Sequence, residues 1–185
     1  MFSTEFLSSK NLMNWNIEFN LELTNRSVKK GELLLEAGQR CDYFYYILKG
    51  FLRLYYLDLE GNQVTHWFSS ENSIVTSPFS FFRKEENILF IEVLDDTEIL
   101  LITSEQFSII NNKVKTADKE LRKLFAEFAM TFSRRIMDIH TKTAEERYLK
   151  LLAEHPYLFQ KAKLSHIASF LGVTQQSLSR IRKNI

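Results

Sequence analysis

One cysteine, two prolines and five glycines are spread over 185 residues. The single thiol, Cys41, excludes a disulfide framework within the chain and any four-cysteine zinc or iron–sulfur site, and it reads as a buried thiol. No apolar run comes near the roughly 20 residues that cross a bilayer, and Met1 to Asn20 has no basic stretch leading into an apolar one. A soluble, cytoplasmic chain with no membrane association is expected. Acidic residues are missing from one place in particular. Between Pro156 and Ile185 there is no Asp or Glu, while Lys161, Lys163, Arg180, Arg182 and Lys183 all fall there. The formal net charge of +1 hides this, because the first 155 residues hold 19 basic against 23 acidic side chains. A basic tail on an acidic body points to nucleic acid.

Aromatic residues are plentiful. Sixteen Phe and seven Tyr predict an aromatic-rich core. From about Val28 to Thr103 the chain reads as strands. Tyr43 to Leu48 and Phe51 to Leu57 are rich in aromatic and aliphatic residues, and Lys49-Gly50 between them suggests a tight hairpin. Gly61-Asn62 marks a second turn before the alternating run Gln63 to Phe68. Ile88 to Val93 and Glu98 to Ile102 are two further strands around a turn-like Asp95-Asp96, and Pro78 predicts an edge or a loop. Gly31, Gly38, Gly50 and Gly61 punctuate the region at spacings of 7, 12 and 11, a rhythm of short antiparallel strands in a sandwich or barrel.

The period changes near Thr103. Thr103 with Gln106, and Thr143 with Glu146, are capping boxes that open helices. Between them, Asp118 to His140 contains neither Gly nor Pro. Leu121, Phe125, Phe128, Phe132, Ile136 and Ile139 recur on one helical face. This stripe needs a cover. The β region alone could supply it; the favoured expectation is that part of the stripe meets the same helix of a second subunit. The helix begun at Thr143 ends at His155-Pro156, and Tyr157 to Ala162 is a short link.

The segment Leu164 to Lys183 divides into two short helices at Gly172. Ile167, Leu171, Val173, Leu178 and Ile181 are apolar where two steeply crossing helices pack, Ala168 is small where they pass, and Thr174 can cap the second helix. That helix carries Gln175, Gln176, Ser179 and Arg180 as candidate base readers. Gln suits adenine N6/N7 and Arg suits guanine O6/N7. Lys163, Ser165, Thr174, Arg182 and Lys183 are placed for phosphate. Because one recognition helix covers few bases, a two-fold dimer reading two half-sites is expected.

The order of a β region, a long helix and a helix-turn-helix resembles the Crp/Fnr family of bacterial transcription regulators. The likeness is strongest in Ile167-Ala168-Ser169-Phe170-Leu171-Gly172-Val173-Thr174 and Leu178-Ser179-Arg180-Ile181-Arg182. It extends to Lys30-Gly31-Glu32-Leu33-Leu34-Leu35-Glu36-Ala37-Gly38 and Tyr46-Ile47-Leu48-Lys49-Gly50. The resemblance implies an α+β fold: a jelly-roll-like antiparallel β-roll sensor over residues 1–116, a dimerisation helix over 117–141 and a DNA-binding domain over 142–185. It also implies double-stranded DNA with a near-palindromic operator and a second copy of the chain as partners, with RNA polymerase a candidate third. The pattern departs from cyclic-nucleotide-binding members, whose Gly-Glu pair and downstream Arg hold ribose and phosphate. Here the stretch is Asn72 to Ser77, and the Arg position falls near Asn87. Thr76, Ser77, Arg83 and Asn87 remain as a candidate effector pocket, Arg83 reads as solvated, and cyclic AMP is not the expected ligand. Members of the family often carry a β-hairpin wing after the recognition helix. Its absence here, or strands elsewhere bracing the motif, is expected.

Two other functions compete with this one. A cupin-like metalloenzyme needs converging His side chains, yet His66 alone lies in the β region and reads as a strand residue, not an axial haem ligand. No nucleophile set, phosphate loop or metal spacing is present, so neither catalysis nor a cofactor is expected. A β-roll that serves only protein interaction, with the C-terminal helices binding a partner protein, is the other alternative.

Overall fold

The computed structural model describes residues 5–184. Helix α1 (Ser9–Phe19) leads into strands β1 (Thr24–Val28), β2 (Leu33–Leu35), β3 (Tyr43–Leu57), β4 (Gln63–Ser70) and β5 (Ile74–Val75). The short helix α2 (Pro78–Arg83) precedes β6 (Phe90–Thr103), and α3 (Ser104–Lys113) and the long α4 (Ala117–Thr141) follow. The chain ends in α5 (Ala144–Glu154), α6 (Leu158–Lys161), α7 (Leu164–Leu171) and α8 (Gln175–Lys183).

The sheet is antiparallel, in the order β1-β6-β3-β4, with β2 also on β6 and β5 also on β3. Its two longest strands correct the sequence reading. Lys49-Gly50 is not a hairpin and Asp95-Asp96 is not a turn. Both lie inside continuous strands, β3 and β6, which pair along their length with register shifts around Lys49 to Leu52. Such bulges bend a ladder without ending it. Gly50 has φ +112°, and a Cβ there would lie 2.7 Å from the Thr97 Cα, so the bend depends on an absent side chain. Pro78 is likewise the first residue of α2, where its missing N–H costs no hydrogen bond.

Alternation along β3 sends Phe44 and Tyr46 to one face and Tyr45 and Ile47 to the other, so this strand helps build two cores. The first lies under α1, α3 and the start of α4, and includes Leu12, Ile110, Leu121 and Leu124. The second fills the roll with Ile47, Leu52, Ile91, Val93 and Ile99, and Cys41 is fully buried there. Residues 9–19, for which the sequence reading gives no helix signal, form α1. Ser8 caps it, and Leu12 is fully buried against the sheet. Both expected capping boxes are present, at Thr103/Gln106 and Thr143/Glu146.

Candidate nucleic-acid interface and its link to the β-roll

Helix α7 ends because Gly172 takes φ +69° and lets Val173 donate its N–H to the Ala168 carbonyl at 3.0 Å. Thr174 then caps α8, its hydroxyl oxygen accepting from the Ser177 N–H at 3.1 Å. Leu178, fully buried, packs with Ile167, Ala168 and Leu171, and this fixes the pose of α8 on α7. Gln175, Gln176, Arg180, Arg182 and Lys183 are left exposed on α8, with Ser179 half-buried beside them. Lys163, Ser165 and Thr174 are exposed at the helix starts. The residues singled out for base and phosphate contact are thus all exposed or half-buried on α8 and at the starts of α7 and α8. Three basic residues in the last turn also complement the negative end of the helix dipole there.

No strand follows Glu154 among the described residues; the strand that braces the motif is β4 of the roll. The Ser169 hydroxyl lies 2.7 Å from the Thr65 hydroxyl and accepts from the Thr65 N–H at 3.1 Å. Around this seam Phe51, Phe68 and Leu94 from the sheet share a third core with Tyr148, Leu158 and Ile167. Lys161 pairs with Asp95 across the same joint.

Two arginines that the sequence reading did not single out hold the joint. Arg135 of α4 donates to the carbonyls of His66, Thr65 and Phe170, and its guanidinium lies 4.2 Å from the Phe170 ring centre. Arg147 of α5 donates to the Leu171 carbonyl at 3.1 Å and to Lys142 at 2.6 Å. Arg53 is fully buried in the sheet, bonded to Thr65, Gln63 and Glu92. Burial pushes the pKa of both Arg53 and Arg135 down, though an arginine keeps its charge. Only the place of Arg135, beside the apolar stripe of α4, hinted at its role.

The stripe itself is divided. Leu121 is buried and Phe128 packs against the first core. Phe132 stacks on His66 with ring centres 5.4 Å apart. These three are covered by their own chain. Phe125, Ile136 and Ile139 remain largely exposed. A different face of α4 is open along its length: Ala126, Ala129, Met130, Ser133 and Met137 are all exposed.

The candidate effector residues do not converge. Ser77 is buried ahead of α2, and Thr76 spends its hydroxyl on the Tyr43 carbonyl at 2.9 Å. Asn87 braces a loop, bonding the Glu36 carbonyl at 3.0 Å and the Leu89 N–H at 2.9 Å. Arg83 is exposed and paired with Glu85 at 3.3 Å. Thr76 alone of the four faces a cavity of about 600 Å3, which lies between the sheet and α4. No Asp, Glu, Lys or Arg lines that cavity. Among the described residues no group of three or more His, Cys, Asp or Glu is placed to hold a metal ion, and no helix is long and apolar enough to cross a membrane.

His66, on the cavity wall, and His166, in α7, are both pushed down to about 4, chiefly by burial. The unfolded chain takes up these protons below about pH 6.5, the folded chain only near pH 4. Stability is therefore full above about pH 6.5 and falls between pH 6.5 and 4. Thermal unfolding followed across that window should show the fall, with a shallower slope in His66→Phe.

Residues 25–111 match the family described as Cyclic nucleotide-binding domain. No curated protein matches the chain. Among solved structures, FixK2 from Bradyrhizobium japonicum aligns over 89% of this chain and 84% of its own, at 19% identity and TM-score 0.74. A putative Crp/Fnr-family transcriptional regulator from Eubacterium rectale aligns over 88% and 78%, at 22% identity and TM-score 0.70. A CooA mutant from Carboxydothermus hydrogenoformans aligns over 88% and 76%, at 18% identity and TM-score 0.69. An antiparallel β core followed by a run of helices is the fold these proteins share with this chain.

Proposed function

We propose that this chain, a cyclic nucleotide-binding-type domain joined to helices in the Crp/Fnr fold, is a sequence-specific DNA-binding transcription regulator that acts as a homodimer and senses a signal other than cyclic AMP. One observation carries the reading: α8 stands clear of the body with Gln175, Gln176 and Arg180 exposed, while α7 behind it is anchored to β4 and α4. A helix so presented has the width and the donors for a major groove. The open face of α4 supports the dimer. Ala126, Met130, Ser133 and Met137 follow at steps of 4, 3 and 4, the repeat of a two-helix seam, and the small residues allow close approach. The committed hydroxyls of Thr76 and Ser73, and the solvated Arg83, support the exclusion of a cyclic phosphate.

Selection of bound duplexes from a random pool tests the reading. A near-palindromic site should emerge, and affinity for it should fall steeply with salt. Arg180→Ala should cost about 1–3 kcal/mol and relax preference at one position in each half-site. Equal weakening on every sequence would assign Arg180 to phosphate. Absence of any duplex binding, with the C-terminal helices instead retaining a protein, would favour the interaction-module reading.

A further inference from the structure

The cavity between the β-roll and α4 has a wall whose chemistry is unusually uniform. Of its polar side chains, Thr76 is bonded to the backbone, burial keeps His66 neutral near pH 7, and Ser69, Tyr56 and Trp67 are neutral groups. Aromatic rings, among them Tyr56, Trp67, Phe82, Phe128 and Phe132, make up about half of the lining, and aliphatic side chains make up most of the rest. At about 600 Å3 it has the size of a small-molecule site. An anion brought here would lose its water and meet no cation to replace it. A flat neutral ring would instead find apolar surface and ring faces at its edges.

The same wall reaches the DNA-binding helices. Trp67 lies edge-on to Phe170 of α7, with ring centres 6.1 Å apart. Phe132 packs on both His66 and Trp67, and one turn further along α4 Arg135 ties the Thr65, His66 and Phe170 carbonyls together. Anything that moves Phe132 or Trp67 therefore bears on the end of α7.

We propose that this cavity binds an uncharged aromatic small molecule and that its occupancy is relayed to α7 through Trp67, Phe132 and Arg135. The relay rests on the regulator reading above; the ligand class does not.

The test begins with the intact chain and the neutral fluorophore N-phenyl-1-naphthylamine, whose emission rises in apolar surroundings. One saturable site per chain is expected, with a dissociation constant on the order of micromolar. The neutral competitor 2-naphthol should displace the fluorophore. Naphthalene-2-sulfonate, of similar shape but anionic, should be weaker by about tenfold or more, and cyclic AMP should not compete. Val75→Phe fills the cavity from its floor. Ile88→Trp crowds its exposed rim without touching the core. Each should weaken the fluorophore by about tenfold. No saturable binding, equal displacement by the sulfonate, or undiminished binding in both variants would overturn the ligand class. On the selected operator, 2-naphthol should change the affinity of the native chain. Arg135→Met should bind the fluorophore within about twofold of the native chain yet lose that change. An operator affinity indifferent to 2-naphthol in the native chain overturns the relay. A chain that binds no DNA sinks the regulator reading, while the fluorophore titration still decides the ligand.

Discussion

Replacing Met130 and Met137 together by Glu should leave the chain monomeric in sedimentation and weaken operator binding by about 100-fold or more. Both side chains are more than half exposed on a helix otherwise anchored to its own β-roll, so the change disturbs no core. In the proposed dimer four methionines meet across the seam. Each contributes about 1.5–3 kcal/mol by leaving water, and four carboxylates in their place would repel. A monomer loses the second half-site, and with it a bivalent gain of about 10²–10⁴. The same pair of changes at Phe128 and Phe132 would report on something else, because those rings pack on the sheet of their own chain. If the M130E/M137E chain stays dimeric, the subunits meet on another face.

Gly50→Val should destabilise the fold by about 3–5 kcal/mol, lowering the unfolding midpoint by roughly 10 °C or more. Two effects add. A φ of +112° is unfavourable for any residue with a Cβ, and that Cβ would press on the Thr97 backbone 2.7 Å away, in a strand that cannot retreat without breaking β6. Gly61→Ala provides the contrast. Its φ is +82°, but nothing lies within 4 Å of the added carbon, so it should cost only about 1–2 kcal/mol. Denaturant unfolding of the two variants separates strain from collision. A Gly50 variant no worse than Gly61→Ala would mean that the sheet bends by other means.

The helix-turn-helix is legible in the sequence because its signals are local. A capping threonine, a glycine at the break and a small residue at the crossing all act within one or two turns, and Gly172, Thr174 and Ala168 hold the conformations their types predict. The capping boxes and the limits of α4 were legible for the same reason. Gly50 and Asp95-Asp96 misled because a residue suited to turns can also serve a bend inside a long strand, and only the partner strand decides which. The helix α1 was missed because Leu12 and its capping serine matter only once the sheet is there to cover them.

For α7 and α8, then, sequence determined the elements, their order and the side chains that point outward, since each depends on residues close along the chain. Tertiary structure decided the rest. It chose which face of α4 is spent on the roll and which stays open. It set β4 against α7 through Thr65 and Ser169, residues 104 positions apart, and gave Arg135 three carbonyls from two distant segments. It also enclosed a cavity without a charge on its wall. Contacts of that range have no period and no spacing to read. They exist only when the sheet has bent, and that bend turns on one glycine facing Thr97.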